Sequence, residues 1–231
     1  GSVLNLRAFM HAGPNHVHAV IHNRGGALGL DIRSERSIPS DISLPILLMG
    51  CLALGLICLV YLTARRISLD PYLSGVLSFS VFLSLAYLSY TGVLDRSYDA
   101  GGHLDHVRYL AENLSYPETR SCWECYQPPL YYAAAAFIWR VVEYLQVWTP
   151  ERCLQGLTLV FSAVGAFYVV FFYKLLFSAR RSVLAASALV LISPGWILHS
   201  VRVGNDPLLY LGLVAWLYYI MAWHLEPNRT R

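Results

Sequence analysis

Apolar runs of bilayer-spanning length alternate along this chain with short polar breaks. Leu44 to Thr63, Tyr72 to Leu94, Leu154 to Phe177, Ser182 to Val201 and Pro207 to Trp223 each approach the ~20 residues that a spanning helix needs. Two starts are marked. Asp70–Pro71 and Asp206–Pro207 each place a capping carboxylate before a proline suited to the first helical position. Pro194–Gly195 predicts a kink inside the fourth run. Leu130 to Trp148 is a sixth candidate, apolar enough to insert. It carries Arg140 and Glu143 near its middle, one turn apart and able to pair, although central charges are costly in lipid. The pattern predicts an all-α integral membrane protein of five to six transmembrane helices, with an outer-face loop that holds short juxtamembrane helices.

The polar segments divide the chain. Residues 1–43 read as a polar N-terminal tail. His11, His16, His18 and His22 there have no clear helical or strand period, so an unstructured tail is preferred over a metal site. No cleavable signal-peptide pattern occurs within it. Residues 44–231 form the membrane domain, with residues 95–153 as its outer loop. Inside that loop, Gly102 to Leu114 fits an amphipathic helix. Leu104, Val107, Leu110, Ala111 and Leu114 make its apolar stripe, with His103, His106 and Arg108 away from it. Such a helix lies along a membrane surface.

Orientation follows from charge. If 130–148 does not cross, Arg65/Arg66, Arg180/Arg181 and Arg229/Arg231 all fall on the cytoplasmic side. The polar loop and Asp206 then share the opposite face. Composition agrees with a membrane protein: 56% of residues are hydrophobic and 13% charged, against roughly 25% charged in a soluble domain. A net charge of +3, scattered along the chain, excludes a nucleic-acid surface. Cys51 and Cys58 lie in an apolar run, and Cys153 stands alone. Cys122 and Cys125 form a C-x-x-C without the second ligand pair of a zinc ribbon, which leaves a disulfide or two free thiols.

Chemistry concentrates where the spans meet the polar loop. Asp99 is either a helix-start residue or a general base facing a water-exposed cavity. Capping explains Asp206 by itself, but the same turn also holds Arg202 and Asn205, and Arg202 suits either a phosphate oxygen of a ligand or simply the lipid headgroups. Gln127–Pro128–Pro129 fixes the direction of the chain before the next helix. Tyr126, Tyr131 and Tyr132 suit an interfacial aromatic belt. The sequons at Asn113 and Asn228 matter only in a eukaryotic secretory context.

The order of these motifs resembles the GT-C glycosyltransferases that use polyprenyl-phosphate-linked sugars, such as protein O-mannosyltransferases and the aminoarabinose transferase of lipid A. Asp99–Ala100–Gly101–Gly102–His103 looks like the family's acidic motif in its first outer loop. Tyr126–Gln127–Pro128–Pro129–Leu130–Tyr131–Tyr132 looks like its Pro-Pro-Leu-x-Tyr motif. The stretch Ser200 to Pro207 looks like its second acidic motif. The resemblance covers roughly residues 72 to 223. Gln127 stands where some members carry a basic residue, and members have more spans than this chain.

The resemblance implies sugar transfer from a polyprenyl-phosphate donor to an acceptor at the outer face of a bacterial inner membrane. Asp99 would act as base. Arg202, Gln127 and His103 would meet the donor phosphate. Asp206 and Asn205 would form the second acidic motif, with Glu124, Asp105 and Arg108 in support. Asp99, Asp206 and Glu124 would be the ligands of a divalent cation, Mg²⁺ or Mn²⁺, if one is used. The implied partners are the lipid-linked sugar, membrane lipid and an acceptor. The alternative is a non-catalytic membrane subunit, or one half of such an enzyme, that docks a second polypeptide through residues 95–153. A transporter ranks last, because only Pro194–Gly195 resembles its broken helices.

Overall fold

The computed structural model describes residues 16–24, 27–35, 43–93, 99–146 and 148–225, with backbone alone before Gly50 and at Cys51 and Leu52. It divides into two units, Gly1–Cys51 and Leu52–Arg231. In the first, β1 (His16–Arg24) and β2 (Ala27–Glu35) pair antiparallel, with Ala19 opposite Ile32 and Ile21 opposite Leu30. This corrects the expectation of an unstructured tail. Val17, Ala19 and Ile21 alternate with polar residues except at Val20, and Leu28, Leu30 and Ile32 do the same across a two-residue turn. The histidines drew attention away from that period. His11 lies outside the described residues.

The helices are α1 (Ser43–Arg66), α2 (Pro71–Tyr90), α3 (Ala100–Asn113), α4 (Pro129–Leu145), α5 (Pro150–Leu176), α6 (Arg180–Leu191), α7 (Pro194–His199) and α8 (Asp206–Leu225). The described residues of the second unit contain no strand. Among the described residues, α2, α5 and α8 are long and apolar enough to cross a membrane. The chain is accordingly a membrane protein.

The run expected as one span over 182–201 is two shorter helices. α6 stops at Leu191, and Ser193 caps α7 by accepting from Trp196 N, with Pro194 at its start. Proline there removes a donor and blocks a continuous helix, so the expected kink is a full break. The C-terminal ends of both helices dock on α2. Ser80 Oγ donates to Leu191 O at 2.7 Å, and Ser200 Oγ donates to Ser84 Oγ at 2.7 Å.

α2 is built to receive them. Its buried side holds Ser74, Ser78, Ser80 and Ser84 among Leu73, Leu77 and Val81, while Phe79 and Phe82 are exposed. Small hydroxyl residues inward and large aromatics outward is the arrangement of a helix whose surroundings are apolar.

α3 and α4 form a second packed group. Leu104, Val107, Leu110 and Ala111 of α3 meet Tyr131, Tyr132, Ala135 and Trp139 of α4, together with Leu154 and Val203. The predicted stripe is present except at Leu114, which is exposed and closes α3 in a left-handed conformation at φ 54°. His103 and His106 are buried with the stripe rather than away from it. At 100° per residue they adjoin Leu104, Val107 and Leu110, so they widen the packed face. Arg140 and Glu143 are both exposed, and no ion pair joins them among the described residues.

One guanidinium ties the polar region at its base. Arg152 Nη1, near the start of α5, donates to Leu88 O at 3.2 Å, Thr91 O at 2.7 Å and Gln155 Oε1 at 2.9 Å. The first two are carbonyls at the end of α2, which have no partner within their own helix. Replacing Arg152 by Met strips all three acceptors of this donor. The expected loss is about 2–3 kcal/mol, read as a lower unfolding midpoint in detergent.

Candidate functional site

Three stretches far apart in sequence meet at one end of the second unit. Asp99 precedes α3, at φ −103° and ψ −1°, and its side chain makes no capping hydrogen bond. The carboxylate faces other partners. Arg202 Nη2 donates to Asp99 Oδ1 at 2.7 Å across 103 residues of chain, and His103 Nε2 lies 3.7 Å from Oδ2. The Asp99 side chain keeps 37% of its surface exposed, so a ligand can reach it. The helix-start role therefore does not account for its side chain.

The middle stretch joins the site through an amide. Gln127 Nε2 donates to Glu124 Oε2 at 2.9 Å, and Asn205 Nδ2 donates to Gln127 Oε1 at 2.9 Å. Gln127 thus bridges the loop before α4 to the turn before α8. Glu124 is 3% exposed. The loop bearing it is closed by a Cys122–Cys125 disulfide with a Cα–Cα distance of 5.1 Å, which resolves the C-x-x-C in favour of the bonded form. Glycine lets that loop lie against α3: a Cβ on Gly102 would sit 2.8 Å from Glu124 Cγ and 3.1 Å from Trp123 Cβ. A Cβ on Gly204 would sit 3.2 Å from His103 Nε2.

The histidines have assignable protons. Burial lowers the pKa of His103, and likewise that of His106. Burial raises the pKa of the Tyr132 hydroxyl, and Tyr131 follows the same direction. His103 Nδ1 and Tyr132 Oη are 2.6 Å apart. A neutral imidazole has one N–H. With that hydrogen on Nε2, the nitrogen on the Asp99 side, Nδ1 accepts from the Tyr132 hydroxyl. His106 Nδ1 donates to Glu124 O at 3.1 Å, because a carbonyl cannot donate. The His106 ring stacks on Tyr132 with centroids 3.7 Å apart.

The expected residues separate into those that converge and those that do not. Asp99, His103 and Arg202 form one hydrogen-bonded and ionic group, and Glu124, Gln127 and Asn205 form a second, hydrogen-bonded one, brought beside the first by the turn that carries both Arg202 and Asn205. Asp206 opens α8 beside them, its Oδ2 3.4 Å from His199 Nδ1. Asp105 and Arg108 are exposed on α3, and Arg108 lies over the Trp139 ring at 5.3 Å. Neither joins either group. Among the described residues no three His, Cys, Asp or Glu side chains are grouped to hold a metal ion, so Asp99, Asp206 and Glu124 are not assembled as a ligand set.

Tyr131 and Tyr132 correct an expectation. They are buried at 1% and 0% exposure, not displayed as an aromatic belt, whereas Tyr126 is exposed. Tyr132, His106 and His199 enter the site without having been singled out for it. For His106 and Tyr132 the signal was their placement in the same polar stretch as Asp99 and Gln127; His199, at the end of α7, carried none. Ser97, Tyr98, Asn228, Arg229 and Arg231 lie outside the described residues.

No family model matches the chain, nor does any curated protein or solved structure.

Two outcomes follow from this geometry. His103 and His106 are held neutral in the fold, while the unfolded chain takes up protons below about pH 6.5. Their contribution is complete above that pH and falls as pH drops below it. The unfolding temperature in detergent should therefore decline from pH 7 to pH 5, and His103→Gln should flatten the decline. Gly102→Ala should cost about 1–3 kcal/mol, since the clash is with a buried side chain and a Cβ rather than a mobile tip. Differential scanning fluorimetry reads both.

Proposed function

We propose that the chain is a GT-C-like membrane glycosyltransferase that moves a sugar from a polyprenyl-phosphate donor to an acceptor hydroxyl. The observation that carries this reading is the convergence of the three motif stretches, with Asp99 held by Arg202 and Gln127 held between Glu124 and Asn205. Such a reaction asks for a reachable base beside groups that receive a departing phosphate.

Asp99 removes the proton from the acceptor hydroxyl. The acceptor oxygen bonds to the anomeric carbon as the bond from that carbon to the phosphate oxygen breaks. The electron pair leaves with polyprenyl phosphate. Arg202 meets the added charge, while the N–H groups of Gln127 and neutral His103 offer hydrogen bonds. A divalent cation is not required by these steps and is left open.

The reading extends to topology. α1 and the α6–α7 pair join α2, α5 and α8 as crossings, and α3 and α4 lie in the outer interface. Arg65/Arg66 and Arg180/Arg181 then face the cytoplasm and the site faces outward, in a bacterial inner membrane.

The test is release of polyprenyl phosphate from a panel of lipid-linked sugars by the reconstituted chain. Wild type should turn over at least one donor, and Asp99→Asn should lower the rate by about 10²-fold or more with its unfolding temperature retained. Equal rates in the two proteins would remove Asp99 from the chemistry. Absence of turnover with every donor would refute transfer by this chain alone and favour the partner-docking subunit.

A further inference from the structure

The opposite end of the second unit carries a different site. A cleft of about 640 Å³ lies between the α1–α2 turn and the α5–α6 turn, and Arg65, Ser68, Asp70, Lys174, Phe177 and Arg180 are among its lining. Arg152 joins the start of α5 to the end of α2, so the two helices run antiparallel. The cleft adjoins the start of α2 and the end of α5. It is thus roughly 30 Å from the Asp99 end, the length of a 20-residue helix.

Arg65 and Lys174 sit in the last turns of α1 and α5, where the helix dipole favours cations. Arg65 donates to Leu69 O at 2.6 Å, and Lys174 makes no ion pair among the described residues. Arg180 and Arg181 are placed the other way. They open α6, where the dipole disfavours cations, with no acidic residue in the first turn and no side-chain cap. The carboxylate of Asp70 answers Arg180 at 2.8 Å, but it also caps α2 by accepting from Tyr72 N at 2.9 Å. Three cations then line the cleft against one carboxylate that is already engaged.

Leu69, Leu73, Phe177 and Val183 give the lining an apolar part, and Ser178 completes it. Tyr72 stands exposed beside the cleft with Arg180 4.9 Å over its ring. An anion alone needs no apolar wall. A phosphate carried on an acyl chain, held at a membrane–water boundary, uses both halves. We propose that this cleft binds the phosphate of an anionic phospholipid, with Arg65, Lys174 and Arg180 around the headgroup and Phe177 along the chain.

The test uses the full chain in detergent, challenged with equal amounts of phosphatidylglycerol and phosphatidylcholine and read by native mass spectrometry. Wild type should retain phosphatidylglycerol about tenfold over phosphatidylcholine. Arg65→Gln combined with Lys174→Gln should bring the ratio to parity. Arg66→Gln combined with Arg181→Gln, exposed residues outside the lining, should keep it. Lys174→Gln alone, at an exposed side chain, should lower the ratio with unfolding temperature unchanged, and it serves if the double variant does not fold. Equal loss in both double variants would mean diffuse surface charge and overturn the site. A ratio unmoved by Lys174→Gln would do the same. Stabilisation of wild type by millimolar inorganic phosphate, without a lipid preference, would make free phosphate the ligand and overturn the lipid assignment.

Discussion

Arg152 closes the base of everything that could react. The polar region leaves the membrane helices after α2 and returns to them at α5, and Arg152 binds carbonyls of Leu88 and Thr91 across that gap. In apolar surroundings a helix end cannot leave its carbonyls without donors, because no water is there to replace them. A guanidinium at the start of the returning helix meets that demand and fixes where the intervening residues begin and end. α3 and α4 then pack over a small common core rather than drifting as a long loop. Removing the clamp frees both ends of the segment that carries Asp99, Glu124 and Gln127.

The same constraint shapes the rest of the bundle. Helix contacts inside a membrane gain little from apolar burial, so small polar residues make the specific contacts. α2 presents serines inward, and two of them meet Leu191 at the end of α6 and Ser200 at the end of α7. α7, beyond the break, ends at His199, and the turn that follows carries Arg202 to Asp99.

Within the site, charge and neutrality are divided. Asp99 and Arg202 are partly exposed, so their attraction is screened and contributes modestly to stability. Its value is orientation. His103, His106 and Tyr132 are buried, and burial keeps them uncharged. A reachable carboxylate beside neutral hydrogen-bonding rings suits proton transfer at the edge of the cluster. It also makes the cluster sensitive to acid.

Local order along the chain was enough to read the apolar helices, the Asp70–Pro71 start, the stripe on α3 and the polar stretches around Asp99, Gln127 and Arg202. Each depends on neighbours a few positions away, which is the range over which periodicity, caps and proline act. The hairpin at His16–Glu35 was within that reach, but its histidines hid an alternation shared by two strands. Tertiary contact alone decided that His103 and His106 turn inward, that Tyr132 binds His103, and that Asp105 and Arg108 stay outside while Glu124 comes in. These outcomes depend on which face of α3 meets α4 and on a glycine at 102 that lets the 122–127 loop approach. No spacing within one segment encodes a pairing such as Asp99 with Arg202. It exists only because the turn before α8 and the start of α3 meet in the folded chain.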